Sequence, residues 1–239
     1  QELETPLITA SKLGMTAFAE CLIDHGADIY KQNDMSERAI EVASNLDIVQ
    51  MLVKHGDDIN GISEETRALL TGTRADGKPK VSRQEYMEGK NRRFGVTNPE
   101  QANVKFWFEM IKSGAIAAQA RRTYSSIWSS GNAPVWCYKR FGRSITVLDN
   151  GCIIEIAGEH EDSYDCDFCI YNDVVVFDGN GKIEIFIYPE HVFPPTDFHT
   201  ATLAGEYIYI IGSLGYEGAR TPGHTPVYRL SIASMKIEK

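Results

Sequence analysis

TPLITASKLGMTAFAECLIDHGADIYKQND, residues 5 to 34, decides how the N-terminal part of the chain folds. It reads as two short helices joined by a turn. Pro6 suits a first helical turn, where the missing N–H has no acceptor to lose, and Gly26 suits the left-handed position that ends a second helix. A second copy, SERAIEVASNLDIVQMLVKHGDDIN, follows from Ser36: Ala43 lies 33 residues after Ala10, but His55 lies only 30 after His25. Three residues are therefore missing between its helices. Arg38-Ala39 stands where the first copy has Thr5-Pro6, so its first helix should start less sharply. SEETRALLTG, residues 63 to 72, reads as a closing helix with Ser63 as N-cap and Thr66 at N3. Two copies and a cap are marginal alone, because stacking neighbours stabilise such arrays, so an α half packed on the rest of the chain is expected.

TRADGKPKVS, residues 73 to 82, is polar and aperiodic and reads as a linker or long loop. Two more helices are expected after it. Asn98 should cap the first with Pro99 at N1, its apolar set is Val104, Phe106, Trp107, Met110 and Ile111, and Gly114 ends it. From Val135 the period changes from 3.6 to 2, in the runs SITVL, CIIEIA, NDVVVF, KIEIFIY, YIYIIG and VYRLSI. These strands repeat. RFGRSITVLDNGCIIEIAG (140 to 158) matches DFHTATLAGEYIYIIGS (197 to 213), and IYNDVVVFD (170 to 178) matches TPVYRLS (225 to 231).

The N-terminal copies resemble the ankyrin repeat, on Thr5-Pro6-Leu7, Ala10, Gly14, Leu22-Ile23 and His25-Gly26-Ala27-Asp28. The β copies resemble the kelch repeat, with Ala157-Gly158 and Gly212-Ser213 in the place of its paired glycines and Asn172-Asp173-Val174 opening a third strand. The resemblance implies an α+β chain in three parts: ankyrin-type helical repeats over 1–72, linker and bridging helices over 73–134, and two degenerate kelch-like blades over 135–239. It also implies a bacterial, non-enzymatic protein-binding module.

Composition narrows the classes. A net charge of −9 opposes phosphate backbones, which argues against nucleic acid and favours a basic protein partner. No apolar run approaches the roughly 18 residues a membrane helix needs. Five cysteines at irregular spacing do not form a disulfide framework, so a reducing, cytoplasmic setting is the simpler expectation. The expected partner surface comprises the turn carrying Tyr30, Gln32, Asp34 and Met35, with Tyr30 as anchor, and two blade loops carrying Glu159, Glu161, Asp162, Tyr164, Asp165, Tyr216 and Arg220. In its sharpest form the module is an immunity protein, the cognate inhibitor of a basic bacterial toxin.

GEHEDSYDCDFCIYND, residues 158 to 173, holds six carboxylates, a histidine and a C-x-x-C pair, and so raises metal binding or catalysis as the alternative. Cys166 and Cys169 supply two of the four ligands a zinc site wants, with His160 and either His199 or His191 as completing candidates. Asp162, Asp165 and Asp167 could meet calcium, but no glycine stands at the sharp turn such loops require. A hydrolase would pair Cys166 with His160, yet no nucleophile elbow, H-E-x-x-H helix or phosphate loop occurs. Asp197 and His199, two apart on a strand, could orient one another. The expectation is no cofactor, no resident metal and no catalysis.

Overall fold

A computed structural model describes residues 4–57, 59, 62–74, 76–124, 134–161, 165–178 and 181–239. Among these residues the chain is mixed α+β, with seven helices and three antiparallel sheets. It divides into two compact units, one of residues 1–72 with 147–151 and one of residues 73–146 with 152–239.

The first unit begins with α1 (Pro6–Lys12) and α2 (Thr16–Asp24). Thr5 accepts a side-chain hydrogen bond from the Ile8 amide and Pro6 opens α1, as the sequence requires. Gly26 is left-handed at φ 84°. The second copy is cut shorter than its pattern suggests: residues 39–42 form only turns, in which Glu41 N donates to Arg38 O and Ala43 N to Ile40 O. The missing three residues remove the length a first helix needs. Its second helix survives as α3 (Leu46–Lys54), capped by Asn45, and α4 (Glu64–Thr71) follows with Ser63 accepting from Thr66 N and Gly72 closing it in the left-handed region. Ser44 N and Oγ both donate to Ser11 O, which joins the two copies.

In the second unit, α5 (Arg83–Gly89) starts directly after the expected linker 73–82, in a stretch to which the sequence reading gave no element. Ser82 and Glu85 form a reciprocal capping box, a signal present in the sequence as S-x-x-E. The expected cap at Asn98 is also replaced. α6 (Lys105–Ser113) starts six residues later, with Val104 at its N-cap position, while the Asn98 side chain bonds Ile237 through both N–H and C=O. The apolar stripe itself is as read: Phe106, Trp107, Met110 and Ile111 are buried and Gly114 ends the helix at φ 61°. α7 (Ala117–Tyr124) completes the helical part.

The first large sheet runs β1 (Glu100–Gln101), β7 (Ile183–Ile187), β6 (Val174–Phe177), β3 (Ile153–Ile156), β2 (Ser144–Val147). The second runs β11 (Ile237–Glu238), β10 (Val227–Ser231), β9 (Tyr207–Ile211), β8 (Thr200–Ala204). Apart from the short β1, each is a meander of four strands. β3 and β6 are buried at every position, so both faces of the first sheet are covered at its centre. The remaining pair, β4 (Glu159–His160) and β5 (Cys169–Ile170), zips the base of what the sequence read as an open loop.

Beside the first sheet lies a buried ionic core. Arg140 donates two bonds to Asp173, one of 3.0 Å to Oδ2, and further bonds to the carbonyls of Cys137 (2.7 Å) and Ala157 (3.1 Å). Trp136 Nε1 donates to Asp173 Oδ2 at 2.8 Å, and the guanidinium lies 3.6 Å from the Tyr171 ring centroid. Trp136 also stacks on Trp107 at 4.9 Å. Every strong donor and acceptor here has a partner, which is what makes a buried pair tolerable.

Candidate functional site

The segment 159–170 leaves β3 through two left-handed residues, Ala157 and Gly158, and is held at its base by β4 and β5. A Cβ on Gly158 would meet Phe141 O and Arg143 Cβ at 2.8 Å, so only glycine allows this close approach. The second loop, 212–226, is rooted by Asp197, whose Oδ1 accepts from Gly215 N and Ser213 Oγ. Tyr216 joins the two. Its ring meets Phe168 edge-on at 5.6 Å, and its hydroxyl accepts from Ile170 N at 2.9 Å and from Arg92 at 3.3 Å. Residues 217–225 beyond that joint are all exposed.

The predicted residues therefore fall into different situations. Glu161, Asp165, Tyr216 and Arg220 lie on these two loops, Glu159 lies instead in β4, paired with Ile170 and bridged to Phe141, and Asp162 and Tyr164 lie outside the described residues. Arg220 spends donors on its own loop, at Leu214 O and Gly215 O. In the other unit, Gln32, Asp34 and Met35 sit exposed on a turn braced by Asn33, whose side chain accepts from Met35 N and Glu37 N. Tyr30 is 56% exposed, but its hydroxyl donates to Gly56 O at 2.8 Å. It ties the segment after α2 to the end of α3, a structural use of this side chain.

The zinc-type combination of His160, Cys166, Cys169 and His199 is not assembled. Among the described residues the ligand atoms that lie within 4.8 Å of one another belong to His160, Glu161 and Asp167. Cys169 is buried and burial raises its thiol pKa, opposed by Arg92 and Arg140; Cys166 is exposed. His160 is buried, and burial pulls its pKa down against the opposing pull of Asp167, while Arg121, 2.7 Å from Asp167 Oδ2, lowers it further. Asp167 was read only as a calcium candidate, and its pairing with the helix residue Arg121 is a tertiary fact that spacing does not show.

His199 sits elsewhere, its Nε2 2.8 Å from Ser144 Oγ, with both residues buried. Burial lowers its pKa to about 4, leaving a weak base. Asp197 does not orient it: His199 Nδ1 has no hydrogen bond, and the Asp197 carboxylate holds the 212–226 loop instead. The serine and histidine lack the third member that would align a nucleophile. No helix among the described residues is long and apolar enough to cross a membrane. No protein-family model, curated protein or solved structure matches this chain.

Proposed function

We propose that the chain is a non-enzymatic protein-binding module whose contact surface is built from the two loops joined at Tyr216. The carrying observation is that joint: a root of two half-buried rings and hydrogen bonds, from which a run of exposed residues, 217–225, projects. A rooted base lowers the ordering cost of binding at the exposed tip. The kelch-like reading of the β region is supported by the two four-stranded meanders and by a shared detail. Ala157 N bonds Asp173 O just before β6, and Gly212 N bonds Pro226 O just before β10, each at 2.9 Å. The ankyrin-like reading is supported by the left-handed Gly14, Gly26 and Gly56 in register with the helices.

The partner is a basic protein, a bacterial toxin captured by its immunity protein being the specific case. A charge of −9 speeds such an encounter, while buried contacts set its release. The test is co-expression with the product of the adjacent gene, followed by association kinetics. Wild type should rescue growth, and reversing Glu159, Glu161, Asp162 and Asp165 should slow association at low salt by on the order of tenfold or more and little at high salt. A harmless neighbour overturns the inhibitor role; equal rates at low salt overturn the electrostatic capture.

A further inference from the structure

The His160 side chain is 7% exposed, and its Nε2 makes no hydrogen bond. It is aimed at two carboxylates, 3.1 Å from Glu161 Oε1 and 4.0 Å from Asp167 Oδ2. The Lys139 main-chain carbonyl accepts from this imidazole, and because Nε2 has no hydrogen-bond partner, the donor is Nδ1. A neutral ring in that tautomer turns the Nε2 lone pair toward the carboxylate oxygens. Two acceptors face one another there, at a separation that needs a positive centre between them. Arg121 meets the far side of this group through Nη1, 2.7 Å from Asp167 Oδ2.

We propose that His160 Nε2 and one carboxylate oxygen each from Glu161 and Asp167 bind a divalent first-row transition ion of the zinc type. One imidazole nitrogen with two carboxylates suits zinc, whereas magnesium and calcium favour all-oxygen shells. The carbonyl on Nδ1 is the outer partner that fixes a metal-binding tautomer. Three protein ligands leave a position for water. Neither Cys166 nor Cys169 belongs to the set, which separates this site from a thiolate zinc knuckle. The ion would pin the start of loop 161–168 to its end, and the proposal stands whether or not that loop meets a partner.

The test is zinc titration of the chelator-treated full chain by calorimetry and by competition with a chromophoric chelator. One equivalent should bind with micromolar or tighter affinity. Glu161→Gln and His160→Gln should each weaken binding at least about 10–100-fold, the range already seen on losing an outer-shell partner, and Cys166→Ser should leave it unchanged. If His160→Gln fails to fold, Glu161→Gln decides, since its side chain is 42% exposed. No zinc uptake, full affinity in Glu161→Gln, or loss in Cys166→Ser overturns the proposal.

Discussion

Asp173→Asn is the most informative perturbation of the fold. The asparagine keeps an acceptor for Trp136 Nε1 but takes the counter-charge away from Arg140, and both side chains of the native pair are only 3% exposed. Solvent therefore cannot rescue the guanidinium. Its remaining bonds, to the carbonyls of Cys137 and Ala157, satisfy donors without neutralising charge. Stranding a buried charge this way costs about 3–5 kcal/mol. At about 2–4 °C per kcal/mol for a unit of this size, the midpoint should fall by about 6–20 °C. Thermal and urea unfolding followed by tryptophan fluorescence are the assays, since Trp136 stacks on Trp107 beside the pair. Adding Arg140→Met removes the stranded charge, so the double variant should be no less stable than Asp173→Asn alone. A single-variant cost under about 1 kcal/mol, or two costs that simply add, would refute the reasoning.

Two further outcomes are expected. The buried His199 has a folded pKa of about 4 against 6.5 for its ordinary value, so the unfolded chain takes up its proton first as pH falls. That stability is fully present above pH 6.5 and is lost toward pH 4; at 1.36 kcal/mol per unit it amounts to about 3 kcal/mol. His199→Gln should flatten this part of the stability–pH curve, and a curve of unchanged slope counts against the assignment. Gly26→Ala and Gly158→Ala both place a side chain in left-handed backbone, but the first meets nothing within 4 Å and the second meets Phe141 O and Arg143 Cβ at 2.8 Å. Gly26→Ala should cost about 1–2 kcal/mol, and Gly158→Ala clearly more, measured side by side by urea denaturation; equal costs would show that the Gly158 contact yields freely.

Local chemistry is what the sequence determined. The caps at Thr5, Ser63, Gly26 and Gly114, the buried stripe of α6 and six of the strand runs follow from hydrogen-bonding needs and periodicities that act within a few residues. The Ser82–Glu85 capping box was equally local, and the polar linker around it masked the signal. Tertiary structure decided the rest. It gave Asn98 to Ile237 instead of to a helix, because a side chain takes whichever unpaired backbone group the fold brings to it. It also sorted the acidic stretch: Asp173 went inward to Arg140, Asp167 to Arg121, and Cys169 to a buried strand start, while His160 came to face Glu161. Composition could count those carboxylates but not assign them, since the cations that partner Asp173 and Asp167 lie 33 and 46 residues away along the chain.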